Sequence, residues 1–218
     1  YVVWDFIMDD ITVTYPNGGE GFVPGEVELL RWDAYGNTGT FTVEYSTDNG
    51  ISYNTASTTV AGGLRQYYWT VPSTVSGDAL IRVSRNGVDD VNDTTFTIIG
   101  VPQNLSVVYS CPDSIGLQWT AVAGATGYEV SSLGAMYMDA VGTTTTNSFA
   151  IQGLNPNDDL WFSVKALGPN GAKGRRALAI QKIPGTFNCL LASDVALSSV
   201  ASPPQGSYRD CAGNAAIP

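Results

Sequence analysis

The chain has 218 residues, enough for one large domain or for two of about 100. Twenty acidic side chains stand against ten basic ones, a net charge of −10, and phosphate binding needs a basic stripe, so nucleic acid is a poor partner. Histidine is absent, which removes Ser-His-Asp and Cys-His relays and the commonest transition-metal ligand, and no apolar run approaches the roughly 18 residues of a membrane span.

Residues rich in Gly, Thr, Ser and Val, with little helical periodicity, favour an all-β fold. Tyr1–Asp10 is too apolar for a free tail. It reads as the end of a preceding domain, or as a strand that pairs with another chain's edge. With neither a start methionine nor a basic-then-apolar leader, the chain is expected to be an internal piece of a longer polypeptide or a processed product.

Ile11-Thr12-Val13-Thr14 alternates as a strand and runs into the turn Tyr15-Pro16-Asn17-Gly18-Gly19-Glu20. Val27, Leu29 and Trp32 mark an inward face, and the doubled Leu29-Leu30 suggests a bulge. Phe41–Tyr45 alternates and ends in Ser46-Thr47-Asp48-Asn49-Gly50. Tyr67, Trp69 and Val71 form the next inward set, then Ala79, Ile81 and Val83, then Phe96 and Ile98. Seven or so short strands with turn signals between them predict a two-sheet sandwich over residues 11–100. Its motifs Pro-Asn-Gly-Gly-Glu, Tyr-Ser-Thr-Asp-Asn-Gly and Asp90-Val91-Asn92-Asp93 before Phe-Thr-Ile resemble the immunoglobulin-like repeats of secreted Bacteroidota proteins. In that group such repeats often follow a secreted peptidase or other hydrolase domain.

Ile99-Gly100-Val101-Pro102 leaves little slack, which predicts a semi-rigid, elongated pair of domains. The next strands are expected near Leu105–Tyr109, Ile115–Thr120, Tyr128–Leu133, Met136–Val141, Ser148–Gln152, Leu160–Leu167 and Arg175–Lys182. Ile115, Leu117 and Trp119 share a face, Tyr128 opens the following strand, and Leu154-Asn155-Pro156 precedes the alternating run Leu160–Ala166. These features resemble the fibronectin type III family over residues 101–184, and the resemblance implies a spacer or binding module. Leu160 stands where that family's corner tyrosine falls, so the corner is expected to be held by Pro156, apolar packing and Asp158.

Residues 185–218 read as the start of a truncated third sandwich, with Asp194–Val200 as its first strand. Together the sequence predicts tandem β-sandwiches with strand-like ends, each end pairing with a neighbouring chain or domain edge if ordered. That makes a homo-oligomer, or contacts with neighbouring domains of the same polypeptide, the expected partnership.

The candidate sites each have a plainer reading. Ser46-x-Asp48-x-Gly50-x-Ser52-Tyr53 matches the Asp-box of sialidase-type propellers, but occurs once and reads as a structural turn. Asp89, Asp90 and Asp93, with Asn86 and Asn92, form an oxygen-rich loop, either solvated or a calcium site. The adjacent acids Asp158 and Asp159 point to opposite faces of a strand, wrong for a general acid beside a nucleophile. Gly168–Gly174 reads as a tight hairpin and lacks an Arg-Gly-Asp. Asp93-Thr94-Thr95 and Asp113-Ser114-Ile115 fit the O-glycosylation pattern of secreted Bacteroidota proteins, placing sugars on Thr94 and Ser114. Trp161, Tyr137 and Tyr68 are the aromatics on which a glycan would stack; cross-strand packing is the alternative.

Three cysteines lack zinc spacing. Cys189 and Cys211 are nearest in sequence, but a strand at about 3.3 Å per residue separates them, against the roughly 7 Å reach of a disulfide. Cys111 lies in a loop at the pole where the last fibronectin-like strand exits, next to Cys189, so a Cys111–Cys189 disulfide is expected, with the partner of Cys211 beyond Pro218. Three free thiols in a reducing compartment are the alternative.

The sequence therefore predicts a non-catalytic extracellular or cell-surface segment, structural or adhesive, of a large protein. The alternative is the accessory region of a secreted peptidase or glycosidase whose catalytic domain lies outside this chain.

Overall fold

The computed structural model describes residues 10–189. These divide into two compact units. One runs to Val101 and also takes in Val122–Thr126 and Ala166–Arg175; the other holds Pro102–Ala121, Gly127–Lys165 and the chain from Arg176. The terminal segments expected to pair with other chains, the third sandwich and Cys211 lie outside the described residues, apart from Asp10 and the stretch 185–189.

The first sandwich has nine strands: β1 (Ile11–Tyr15), β2 (Gly21–Phe22), β3 (Val27–Ala34), β4 (Thr40–Ser46), β5 (Asn54–Ala61), β6 (Gln66–Thr70), β7 (Ser76–Arg85), β8 (Val88–Val91) and β9 (Phe96–Ile98). One sheet runs β1-β3-β6; the other runs β2-β9-β7-β4-β5, with β8 also on β7. Pairing is antiparallel except between β2 and β9. The alternation of β4 and β7 places Phe41, Val43, Ala79, Ile81 and Val83 in the core. Aromatic rings fill the space between sheets: Phe22, Trp69 and Phe96 meet edge-on or tilted at 4.9–6.3 Å, and Trp32 meets Phe41 at 5.3 Å.

Two sequence expectations fail in β3. Its buried residues are Leu30 and Trp32, while Val27 is 60% exposed and Leu29 only half-buried. No bulge separates Leu29 from Leu30, because β3 and β6 pair without a shift from Val27–Thr70 to Arg31–Gln66. An unbroken ladder keeps the parity of Trp32, which selects Leu30 rather than Leu29. β5 and β8 carry no clear apolar alternation. β5 lies at a sheet edge and buries only Val60.

The second sandwich consists of β10 (Gln103–Ser110), β11 (Ser114–Thr120), β12 (Gly127–Leu133), β13 (Met138–Thr144), β14 (Ser148–Gln152), β15 (Leu160–Leu167), β16 (Lys173–Arg176) and β17 (Ile180–Lys182). One sheet is β10-β11-β14; the other is β13-β12-β15-β16, with β17 also on β15. Ile115, Leu117, Trp119, Tyr128, Val130, Phe162, Val164 and Ala166 are buried, as period-two alternation requires. Trp119 packs against Tyr128 at 5.2 Å. The strand expected over Arg175–Lys182 is broken into β16 and β17. Between them Ala177 stays hydrogen-bonded to β15, its N–H donating to the Val164 carbonyl at 2.8 Å.

Candidate functional site

The Ser46–Tyr53 motif closes the loop between β4 and β5. The Ser46 hydroxyl donates to Asp48 Oδ1 at 2.7 Å and accepts the Gly50 N–H at 2.8 Å. Asp48 Oδ1 accepts the Ser52 N–H at 2.9 Å, and Oδ2 accepts the Ser52 hydroxyl at 2.5 Å. Asn49 and Gly50 take positive φ, 56° and 80°. Hydrogen bonds from Ser52, then Ser46, push the Asp48 carboxyl down from its ordinary 3.8 to about 2. Both carboxylate oxygens serve the turn.

The turn Pro16–Glu20 is built similarly. Glu20 accepts the Asn17 N–H at 2.9 Å and the Gly18 N–H at 2.8 Å. Gly18 has φ +125°, and a Cβ there would lie 2.4 Å from Thr94 Cβ, so both backbone and space require glycine.

Asp89 and Asp90 of the oxygen-rich stretch lie in strand β8, and Asn86, Asn92 and Asp93 flank it. Asp89 and Asp90 are consecutive in β8, opposite Ser84 and Val83 of β7, so their side chains leave opposite faces. Asp90 Oδ2 accepts the Val13 N–H at 2.7 Å. Asn92 is buried; its Oδ1 accepts the Ile81 N–H at 2.6 Å and its Nδ2 donates to the Thr94 carbonyl at 2.5 Å. Among the described residues no three acidic or cysteine side chains converge as metal ligands. Strand geometry turns Asp89 and Asp90, two of the three acids of the calcium candidate, to opposite faces.

Thr94 is exposed and follows β8. Ser114 differs. It opens β11 opposite Gln152 and is only 6% exposed, so the expected glycosylation there meets a packed strand end.

Cys189 is a free thiol, so the expected Cys111–Cys189 bridge is not made. Ser110 pairs antiparallel with Asn188, which sets Cys111 and Cys189 two positions apart on the diagonal. Diagonal neighbours lie about 7–8 Å apart, past the usual Cα span of a disulfide, about 4.4–6.8 Å. Burial and the Asp113 carboxylate push the Cys189 thiol up.

The corner lacking its tyrosine is held by Asn155 and Asp158. Asn155 Nδ2 donates to Asp158 Oδ1 at 2.9 Å, and Asn155 Oδ1 accepts the Asn157 N–H at 3.1 Å. Asp159 accepts Gln181 Nε2 at 2.7 Å. The Gly168–Gly174 segment is a tight hairpin, closed by the Gly168 N–H on the Ala172 carbonyl at 2.9 Å. Asn170 and Gly171 there have φ 53° and 76°.

Tyr68 and Tyr137 are 65% and 71% exposed, while Trp161 is half-buried in β15. A feature missed by sequence reasoning is an open, mainly apolar groove of about 480 Å³ on the β10-β11-β14 sheet, lined by Val108, Tyr109, Gly116, Ser148, Phe149 and Ala150. Tyr109 lies opposite Gly116, and a Cβ on Gly116 would stand 2.2 Å from the ring. The ring thus covers a glycine in mid-strand. The only sequence signal was an unexplained glycine inside an apolar strand. Burial raises the Tyr109 phenol above its ordinary 10.0.

No family model matches the sequence. No curated protein matches it either. Among solved structures, the chain is similar to a two-domain fibronectin type III segment of chicken tenascin, at 13% identity and a TM-score of 0.49, covering 80% of this chain and 98% of that one. It is also similar to the FN1–FN3 domains of chicken CNTN1, at 14% identity and a TM-score of 0.37, covering 82% and 66%. A third likeness is to domains A168–A170 of titin, at 16% identity and a TM-score of 0.36, covering 80% and 66%. The all-β sandwich assignment stands on the strand pairings described above.

Proposed function

We propose that this chain is a non-catalytic structural segment of a larger secreted or cell-surface polypeptide, spacing or presenting other domains. One observation carries the reading: the polar residues that resembled chemical sites serve the backbone of the sandwiches. Asp48 and Ser46 close a turn, Asp90 receives Val13, Asn92 receives Ile81, and Asp158 holds a corner. A carboxylate that accepts fixed backbone or hydroxyl donors gives up the lone pairs and mobility that a general acid or a metal ligand needs. The contacts of such a segment are with neighbouring domains, a second copy or another extracellular protein.

The test is a replacement in the parent polypeptide. An unrelated tandem pair of β-sandwiches of equal length should leave export, surface display and activity intact. Loss of a hydrolytic or ligand-binding activity with export unchanged overturns the spacer reading.

A further inference from the structure

The outer strands of the first sandwich are β1 and β6 in one sheet, β2 and β5 in the other. Such edges recruit other chains unless they are blunted, and all but one of these are. β2 is only Gly21–Phe22. On β1 the outward Val13 N–H is taken by Asp90. β5 meets β4 through two register shifts, which bend and twist an edge. β6 has none of these devices: Gln66-Tyr67-Tyr68-Trp69-Thr70 holds no Lys, Pro or acid, and its ladder with β3 runs without a shift. The bonds at the two ends of that ladder fix its parity. The Val71 N–H donates to the Glu26 carbonyl at 2.9 Å, and the Trp32 N–H donates to the Arg65 carbonyl at 3.2 Å. Tyr67 and Trp69 therefore face β3, while Gln66, Tyr68 and Thr70 turn their N–H and C=O groups away from it. No hydrogen bond among the described residues reaches those outward groups. Tyr68 is 65% exposed, and beside the edge runs an open groove of about 430 Å³ lined by Val60, Ala61, Leu64 and Tyr67.

We propose that β6 pairs antiparallel with β6 of a second copy of this chain, joining two three-stranded sheets into one across a two-fold axis at Tyr68. The outward groups select this partner because they are self-complementary. Centred on Tyr68, each Tyr68 exchanges both hydrogen bonds with its counterpart, and Gln66 does so with Thr70 of the other copy. The two Tyr68 rings then meet as a direct cross-strand aromatic pair. Charge agrees. The chain carries −10, yet Gln66–Thr70 is uncharged, so two copies can meet along this edge without opposing like charges. This rests on the structural reading above only in taking a second copy as the contact. It is read by self-association rather than by export or activity, so either can fail without the other.

Sedimentation velocity and hydrogen exchange on the full chain test this. In wild type, the dimer fraction and the protection of a peptide spanning Gln66–Thr70 should rise together with concentration. Tyr68→Pro removes the central outward donor and spares every bond to β3, since proline is tolerated where the N–H of an edge strand faces away. It should weaken self-association at least about tenfold. If the proline variant melts at a lower temperature than wild type, Tyr68→Lys supplies the comparison: it sets like charges opposite each other at the axis and should weaken the dimer with the fold unchanged. A wild type that stays monomeric up to about 1 mM overturns the proposal and leaves the edge to a strand of another protein. A dimer undiminished in both variants overturns it too. So does protection of Gln66–Thr70 that is independent of concentration, since the same chain would then supply the cover.

Discussion

At the scale of single residues, local polar chemistry sets several turns, and Asp48 is the clearest instance. Its folded pKa, about 2, lies below its ordinary 3.8 because Ser52 and Ser46 donate to it. A group depressed on folding contributes stability that is full above its unfolded pKa and disappears as pH falls through its folded one. Asp48→Asn should therefore lower the melting temperature by a constant amount at neutral pH, and the gap to wild type should close between about pH 4 and pH 2. Thermal melts of both proteins across that range check it; a gap independent of pH contradicts the hydrogen bonds described. Gly116 makes a second test. Its Cβ would enter the Tyr109 ring, so Gly116→Ala should destabilise by about 1–3 kcal/mol through overpacking. Removing the obstacle should rescue it: in a Tyr109→Ala background the same substitution should cost about 0.5 kcal/mol or less, read from denaturant midpoints.

At the scale of elements, register decides which side of a strand enters the core. In β3, Leu30 is fully buried and Val27 lies largely in solvent, although both are branched apolar residues of one strand. Leu30→Ala should cost about 2–5 kcal/mol, the usual cavity penalty, and Val27→Ala should stay within about 0.5 kcal/mol. Equilibrium unfolding of the two variants separates the parities; equal costs would restore the bulge. The same principle orients the acidic run. Once Val88–Val91 pairs with β7, adjacent aspartates diverge, and Asp90 turns to the Val13 amide.

At the scale of the whole molecule, the described residues form β-sandwiches with one short 3-10 turn, Pro169–Gly171, outside the strands. Far-ultraviolet circular dichroism should show a β-type spectrum without helical double minima. The net charge of −10 repels polyanions at long range, so the full chain should pass through a heparin column even at low ionic strength. Retention there would reveal a local basic surface that overrides the net charge.

The sequence by itself determined the all-β class and the central strands, since Phe41–Tyr45, Ile115–Trp119 and Leu160–Ala166 carry a period of two that is a local property of the chain. It also determined the Ser46–Ser52 turn, whose hydrogen bonds join residues at most four apart. Edge strands such as β5 were illegible because little of their surface is buried, leaving no alternation to read. The tertiary structure alone decided the parity of Leu29 and Leu30, the divergence of Asp89 and Asp90, the packing of Ser114 and the separation of Cys111 from Cys189. Each depends on which strand lies alongside and in what register, and a one-residue slip in that pairing reverses every side chain it touches.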